Sequence, residues 1–163
     1  AARTHCIPGD RPMAAGDLVV IDFGARVGGY CSDMTRTVAI GEVSKEQRRL
    51  YDAVLEANAA GLAAVRSGVP CAEIDLAARE VLERHGLGDV FTHGVGHGVG
   101  LDVHEMPTLG RRSQEAAREN AIVTIEPGVY IEGTAGVRIE DLVVVEDGGH
   151  RCLTNSPKEL IQI

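Results

Sequence analysis

The first part of the sequence alternates between apolar runs and turns, a pattern that predicts paired strands. The apolar, β-branched run 18–23 is closed by Gly24 and predicts a buried strand that carries one carboxylate, Asp22. After a turn made by two adjacent glycines, the Thr- and Val-rich segment 30–40 predicts a second strand, with Asp33 near its start. Each predicted strand therefore brings an acidic side chain into an otherwise apolar setting.

Two amphipathic helices are predicted next. Ser44 and Gln47 have the spacing of a capping box, and apolar residues then recur at helical intervals from 50 to 65, which predicts a helix of about 20 residues. A second apolar stripe from 74 to 82 predicts another helix, and we expect Gly86 to end it.

The rest of the chain returns to extended structure. Alternating glycines between 92 and 100 disfavour a helix, so we expect His93 and His97 on extended or looped backbone. Strands are predicted at 121–125, 129–131 and 137–145. No linker or low-complexity segment divides the chain, which favours a single domain.

Two of the apolar runs resemble each other. Residues 19–24 are echoed by residues 123–128, and each run contains one carboxylate and ends in glycine. Each is followed by a strand with a further acid, Asp33 in the first case and Glu140 in the second. This repeat predicts two related halves about a pseudo-twofold axis, each contributing two carboxylates to a common centre.

The composition is typical of one soluble globular domain: 163 residues, 44% of them hydrophobic and 25% charged, with a net charge of −8. A chain of this size buries a core without needing disulfides or a structural metal. The four cysteines, Cys6, Cys31, Cys71 and Cys152, form no C-x-x-C pair, which argues against a zinc ribbon or a redox motif. We interpret them as buried thiols of a reduced, cytoplasmic protein.

Charge and hydropathy argue against two classes of partner. The chain is acidic, it has no run of Lys and Arg residues, and only 3% of its residues are aromatic, so we expect no nucleic acid partner. No apolar stretch approaches the roughly 18 residues of a membrane span, so we expect no membrane partner.

Four acids near the ends of apolar strands indicate chemistry. Buried carboxylates need a partner, and convergence of Asp22, Asp33, Glu126 and Glu140 would cause strong repulsion. Two hard divalent cations would relieve it. An oxygen-rich ligand set with one imidazole, for which His97 is the natural candidate, fits Mn, Co, Fe or Zn in a catalytic site.

Simpler interpretations stay open for the individual residues. Asp22 and Asp33 are also typical of ordinary strand-end and turn acids. Glu140 has Arg138 two positions away on the same predicted strand face, so an ion pair between them is a competing explanation. The combination of five positions favours the metal site over these alternatives.

The other histidines divide into two groups. His5, His93 and His104 lie in polar or glycine-rich stretches that suit a catalytic donor. His85 and His150 are interpreted as structural residues.

Six motifs carry a family resemblance. They are IDFG (21–24), CSDMTRT (31–37), HGVGHGVGL (93–101), VHE (103–105), TIEPG (124–128) and VRIED (137–141). In this order they closely resemble the pita-bread metallopeptidases, and among these the Xaa-Pro peptidases, aminopeptidase P and prolidase. The resemblance extends over nearly the whole chain.

The resemblance implies the α+β pita-bread (creatinase/aminopeptidase) fold: a curved, mainly antiparallel sheet with helices on its outer face and two pseudo-twofold halves. Relatives have a further helix–strand unit, and commonly an N-terminal domain, before the position of His5. We therefore expect residues 1–163 to be an N-terminally incomplete metallopeptidase catalytic domain, and the full-length form to be a homodimer. Asn120 stands where relatives commonly have glycine, and Asn tolerates the left-handed conformation.

The resemblance also implies a ligand set for two divalent ions, manganese in first place, with cobalt, zinc or iron as alternatives. The five ligands fall on Asp22, Asp33, His97, Glu126 and Glu140. Asp33 and Glu140 would bridge the ions, Asp22 would bind one of them, and His97 and Glu126 would complete the other.

The implied reaction is hydrolysis of an N-terminal Xaa-Pro bond by a metal-bridged hydroxide, on peptides with proline at the second position. Glu126 would be the general base, and His93 and His104 would be catalytic donors that also bind substrate. His5 and Arg138 match further substrate-binding positions of the family.

Three alternatives remain from the same fold. Methionine aminopeptidases share it, but their last metal-binding strand does not usually read GVRIED, which favours the proline-specific branch. Creatinase-like amidinohydrolases and non-catalytic peptide-binding modules generally lack the complete ligand set. The chain as an inactive or non-catalytic peptide-binding fragment stays open because relatives have further structure before it.

Overall fold

The computed structural model describes residues 1–4 and 7–163. In these ranges the elements, in chain order, are β1 (Leu18–Phe23), β2 (Arg26–Val27), β3 (Tyr30–Cys31), β4 (Met34–Ala39), α1 (Lys45–Ala64), α2 (Cys71–Arg84), a 3₁₀ turn (Gly88–Val90), β5 (Gly96–Gly98), β6 (Glu105–Leu109), β7 (Ile122–Ile125), β8 (Gly128–Ile131), β9 (Ala135–Arg138), β10 (Asp141–Glu146) and β11 (Gly149–Cys152).

Both helices begin or end at the predicted signals. The Ser44 hydroxyl accepts a hydrogen bond from the Gln47 amide at 3.1 Å, and the Gln47 side chain accepts one from the Ser44 amide at 2.8 Å, which completes the capping box at the start of α1. After α2, Gly86 takes a positive φ of 73°, a conformation that suits glycine and ends the helix.

The strands form one larger sheet and three smaller pairs. β11, β10, β7, β5 and β6 form an antiparallel sheet in that order, while β1 pairs with β4, β2 with β3 and β8 with β9. The helices pack on each other; α1 also contacts β7, β8 and β9, and α2 contacts β6. An apolar core lies between helices and strands and includes Val54, Ile74, Ile125 and Val143.

Two predicted strands are wrong as continuous elements, and both are interrupted at an acid. The segment 30–40 divides into β3 and β4 at Asp33, because β3 pairs with β2 whereas β4 pairs with β1. The segment 137–145 divides into β9 and β10 at Glu140, because β9 pairs with β8 whereas β10 pairs with β7 and β11. The spacing of apolar residues along the sequence does not show where a strand changes its partner.

Other details agree with expectation or extend it. Asn120 has a φ of 63°, in the left-handed region, as expected. Cys71 is buried, but Cys31 and Cys152 are partly exposed, so the prediction of buried thiols holds for only one of these three. Cys6 lies outside the described residues. Among the residues that are described, no helix is long and apolar enough to cross a membrane.

Candidate metal centre

One cavity of about 540 Å³ collects the side chains that the sequence singles out. Its lining includes Asp22, Asp33, His93, His97, His104, Glu126, Arg138 and Glu140. His5 lies outside the described residues, so its expected role in substrate binding stays a prediction. The two histidines interpreted as structural do not line this cavity, and His85 instead bonds Glu56 on the surface through Nε2 at 2.7 Å.

The acids reach this cavity from strand ends and strand breaks. Asp22 lies on β1 directly opposite Thr35 of β4, and Asp33 immediately precedes β4. Glu126 follows the last residue of β7, and Glu140 occupies the break between β9 and β10. At these breaks the carboxylates point into the cavity. A continuous strand would instead direct successive side chains to opposite faces of the sheet.

Among the described residues, potential ligand atoms in the cavity form three groups, and the atoms within each group lie within 4.8 Å of one another. The groups are Asp22, Asp33 and Glu140; His97, Glu126 and Glu140; and Asp33, His97 and His104. Glu140, Asp33 and His97 each belong to two groups, and Glu140 is the carboxylate shared by the group with Asp22 and the group with Glu126, as a bridging ligand requires. The third group is unexpected, and it places the His104 ring centroid 4.2 Å from that of His97.

The glycine before His97 allows β5 to approach β7 closely. A Cβ on Gly96 would lie only 1.9 Å from the carbonyl oxygen of Thr124. The close approach lets the His97 amide donate to Thr124 Oγ1 at 3.1 Å, while the Thr124 hydroxyl donates to Glu126 Oε1 at 3.3 Å. His97 Nδ1 faces the Gly98 carbonyl oxygen at 3.0 Å, so Nε2 is the ring atom that meets Glu126, at 3.2 Å.

The carboxylates repel one another in this largely buried cavity. Burial, reinforced by the charges of Glu126 and Asp33, raises the pKa of Glu140 to about 8. Burial and the charge of Asp22 likewise raise the pKa of Asp33. Burial would also raise the pKa of Glu126, but the hydrogen bond from His97 and nearby positive groups hold it below its ordinary value. Burial opposes the charged form of His97, yet its bond to Glu126 raises the pKa of the imidazole overall.

This donor set fits divalent cations. Four carboxylates and the His97 imidazole supply the oxygen and nitrogen ligands that catalytic Mn, Co, Fe and Zn sites use, and among the described residues no thiolate belongs to these groups. Two positive ions would also offset the repulsion that raises the pKa of Glu140. The residues present therefore fit a pair of divalent ions with Glu140 between them.

Arg138 pairs with a different acid from the one that the sequence suggested. Its Nη2 donates to Asp22 Oδ2 at 2.5 Å, its Nη1 to the Tyr130 hydroxyl at 2.9 Å and its Nε to Thr35 Oγ1 at 3.1 Å. The alternative of an ion pair between Arg138 and Glu140 is therefore wrong. Glu140 instead accepts a hydrogen bond from the Thr35 hydroxyl at 2.6 Å.

Sequence reasoning missed Tyr130 and Thr35, which hold the charged residues in place. The Tyr130 hydroxyl lies 3.0 Å from His93 Nε2, and His93 Nδ1 lies 2.8 Å from the Gly94 carbonyl oxygen. Tyr130 therefore links His93 to Arg138. Its hydroxyl in the otherwise apolar β8 was the one available signal, because a buried tyrosine hydroxyl needs a polar partner.

A second cavity, of about 420 Å³, adjoins the first. The two share His93, Gly94, Thr108 and Gly110 in their linings. Arg111 and Arg112 line only the second cavity, and Arg111 also pairs with Glu83 at 3.1 Å. The candidate metal-binding cavity thus continues into a groove with a basic rim.

Comparison with known proteins agrees with this geometry. Residues 1–147 match the model of metallopeptidase family M24. The chain is 42% identical over 161 residues to a protein named Xaa-Pro dipeptidase from Pyrococcus furiosus, covering 99% of this chain and 46% of the relative. It is 46% identical over 157 residues to an uncharacterized peptidase from Bacillus subtilis, covering 96% and 44% respectively.

Solved structures match equally well. An Xaa-Pro dipeptidase from Bacillus anthracis superposes with a TM-score of 0.98 at 42% identity, covering 99% of this chain and 46% of that one. An X-Pro aminopeptidase from Thermotoga maritima MSB8 gives 0.96 at 41% identity, with the same coverage. The expected α+β pita-bread fold is confirmed. The chain spans 44% to 46% of the length of these curated relatives and structures.

Proposed function

Because the chain belongs to metallopeptidase family M24, we propose that the natural protein that carries it hydrolyses N-terminal Xaa-Pro bonds, as an Xaa-Pro dipeptidase or aminopeptidase. The observation that carries this proposal is the convergence of four carboxylates and one imidazole on a single cavity. The names of the relatives, Xaa-Pro dipeptidase and X-Pro aminopeptidase, support the substrate class.

In this proposal Asp22, Asp33 and Glu140 hold one divalent ion, and His97, Glu126 and Glu140 hold the other. Manganese is the first choice, with cobalt, zinc or iron as alternatives, because the donors are mostly carboxylate oxygens. When bound, such ions supply Lewis acidity: they polarise a carbonyl group and make water a better nucleophile.

The side chains of the protein then carry the protons. Water oxygen adds to the scissile carbonyl carbon while Glu126 takes the water proton, and the C–N bond breaks as that proton reaches the proline nitrogen. This nitrogen has no hydrogen of its own in the peptide, so an Xaa-Pro bond offers no amide donor to the site, and the transferred proton becomes the first hydrogen on the released proline nitrogen.

Two histidines bind the substrate and stabilise the developing charge. His104 lies exposed at the mouth of the cavity, where it donates to the carbonyl oxygen or to the leaving group. His93 Nδ1 faces the Gly94 carbonyl oxygen and Nε2 faces the Tyr130 hydroxyl, so His93 donates toward substrate only as the imidazolium, from Nε2, when the Tyr130 hydroxyl has turned to another acceptor. Arg138 lines the cavity as a substrate-binding residue, and its guanidinium is held in place by Asp22 and Tyr130.

The adjoining basic groove favours a short substrate. In the proposed orientation, the scissile bond lies at the carboxylates and the C-terminal end of the peptide points toward His93 and, beyond it, toward Arg111 and Arg112. A free carboxylate close behind proline would meet these guanidinium groups. We therefore favour dipeptides over longer peptides. A homodimer and a cytoplasmic location complete the proposal and rest on the family resemblance.

The test is a substrate panel on the natural full-length protein. After removal of metal with a chelator and reloading with Mn²⁺, we expect cleavage of Leu-Pro and no cleavage of Leu-Ala. A protein that cleaves Met-Ala-Ala but not Leu-Pro would be methionine aminopeptidase-like instead. Absence of any peptide cleavage after loading with each of Mn²⁺, Co²⁺, Zn²⁺ and Fe²⁺ would leave a non-catalytic peptide-binding protein.

A further inference from the structure

A polar network of three buried residues and one half-buried lysine lies behind the glutamates of the proposed metal centre. Its members are Arg36 on β4, Asn58 on α1, Asp141 on β10 and Lys158 in the C-terminal segment, and we name them the backing network. Asp141 is fully buried; its Oδ1 accepts from Arg36 Nη2 at 2.7 Å and its Oδ2 pairs with Lys158 Nζ. Lys158 Nζ also donates to Asn58 Oδ1 at 2.9 Å. None of the four lines the cavity.

Arg36 reaches the main chain of Glu140. Its Nη1 donates to the Glu140 carbonyl oxygen at 2.6 Å and to the Thr35 carbonyl oxygen at 2.9 Å. The remaining donors reach Asp141 and the carbonyl oxygens of 156–157. All five N–H donors of the guanidinium are therefore used, in a geometry that a lysine ammonium does not reproduce.

Asn58 reaches the main chain before both glutamates. Its Nδ2 donates to the Ile125 carbonyl oxygen at 2.9 Å and to the Ile139 carbonyl oxygen at 3.3 Å. Ile125 directly precedes Glu126, and Ile139 directly precedes Glu140. One amide group on α1 thus binds the backbone at both glutamate positions.

These contacts fall where the strands end or change partner. β7 ends at Ile125, and the chain between β9 and β10 consists of Ile139 and Glu140. Buried carbonyl oxygens need hydrogen-bond donors, and a sheet ladder does not supply them at a break. Asn58 supplies them from a helix and Arg36 from a strand, and Lys158 of the C-terminal segment holds the Asn58 side chain.

We propose that the backing network positions Glu126 and Glu140 for metal binding by fixing the main chain on which both stand. Asn58 and Arg36 are its positioning residues, and Asp141 and Lys158 hold these two in place. Groups that orient metal ligands without touching the ion commonly change metal affinity by 10- to 100-fold. This inference rests on the proposed metal centre, because it assumes that the two glutamates bind ions.

The first test compares two substitutions on the same helix, in the natural full-length protein. Asn58→Leu is close in size and removes both donated hydrogen bonds. Tyr51→Phe is the matched control, since the Tyr51 hydroxyl donates to the Lys158 carbonyl oxygen at 2.8 Å and to neither glutamate segment. Metal-free protein is titrated with Mn²⁺ by calorimetry, and circular dichroism verifies that each variant is folded.

We expect Asn58→Leu to weaken Mn²⁺ binding about 10- to 100-fold and Tyr51→Phe to leave it within about twofold. The electron paramagnetic resonance spectrum of the loaded protein gives a second readout, because coupling between two Mn²⁺ ions depends on their spacing. The wild type and Tyr51→Phe should show the same coupled spectrum, and Asn58→Leu a changed one.

A second variant guards against a folding defect. Arg36→Lys keeps a positive charge beside Asp141 but loses the donor to the Glu140 carbonyl oxygen, so it should weaken Mn²⁺ binding in the same way. Folded variants with wild-type affinity and spectrum would overturn the role of the network while leaving the metal centre intact. A wild-type protein that binds none of Mn²⁺, Co²⁺, Zn²⁺ and Fe²⁺ would overturn both.

Discussion

The Thr35 hydroxyl donates a hydrogen bond to Glu140 Oε2 at 2.6 Å, and the same two residues form an isolated antiparallel bridge in which the Glu140 amide donates to the Thr35 carbonyl oxygen at 3.0 Å. The Thr35 side chain therefore orients the Glu140 carboxylate, and the Thr35 main chain orients the Glu140 main chain. The contact joins the two halves of the molecule at Glu140, whose carboxylate belongs to both proposed ligand groups.

Thr35→Val tests this contact, because valine keeps the shape of threonine and lacks the hydroxyl. We expect the variant to fold and to bind Mn²⁺ about 10- to 100-fold more weakly, since Glu140 loses the group that orients it. Calorimetric titration of metal-free protein measures the change. Thr37→Val is the control: Thr37 is equally buried on the same strand, and within residues 1–4 and 7–163 its hydroxyl bonds only the main chain of Arg138. Equal affinities in the two variants would contradict the assigned role of Thr35.

Glu140→Gln should have opposite effects on metal binding and on stability. Because the pKa of Glu140 is raised to about 8, this carboxyl takes up a proton on folding at neutral pH, at a cost in free energy that a neutral amide does not have. The metal-free variant should therefore be more stable by about 1 kcal/mol, while after metal loading it lacks at least one ion. Thermal unfolding in the presence of a chelator and elemental analysis after metal loading measure the two effects.

The control is Glu119→Gln, which removes an exposed carboxylate outside the cavity. It should change stability by less than about 0.5 kcal/mol and leave the metal content unchanged. A Glu140→Gln variant that is destabilised and still holds two ions would show that Glu140 serves the fold rather than a metal.

Gly96→Ala should separate β5 from β7. The added Cβ would meet the Thr124 carbonyl oxygen at 1.9 Å, and the strand that carries His97 must then shift. We expect a loss of about 1–3 kcal/mol in the free energy of unfolding, measured by urea titration, together with weaker metal binding. Gly148→Ala, where a Cβ meets nothing within 4 Å, should be nearly neutral. Similar costs at the two glycines would refute the packing argument.

Arg112→Ala should lower the activity on dipeptides selectively. If the basic groove binds the free carboxylate, kcat/KM for Leu-Pro should fall about tenfold through KM, and the amidated substrate Leu-Pro-NH₂ should be little affected. Arg118→Ala is the control, because Arg118 is exposed and lines neither cavity. A uniform loss on both substrates would argue against carboxylate recognition by Arg112.

The sequence predicts those parts of the molecule that local chemistry determines. The capping box of Ser44 and Gln47, the end of α2 before Gly86 and the left-handed Asn120 all follow from the residue types at those positions. The ligand candidates also follow, because a carboxylate such as Asp22 in an apolar run requires an explanation.

The missed features are those that depend on distant contacts. The breaks at Asp33 and Glu140 arise from a change of partner strand, and no periodicity within either segment signals it. The partner of Arg138 is Asp22, which lies 116 positions away, rather than its neighbour on the predicted strand. Asn58 reads as one polar position on an amphipathic helix, although its side chain binds the backbone beside both glutamates.

The most direct measurement of the central claim is anomalous diffraction from crystals of the Mn²⁺-loaded full-length protein, recorded at the manganese absorption edge. Two peaks are predicted in the cavity, one among Asp22, Asp33 and Glu140 and the other among His97, Glu126 and Glu140. A map from fully loaded protein without a peak among these carboxylates, or with ions only at other positions, would contradict the claim.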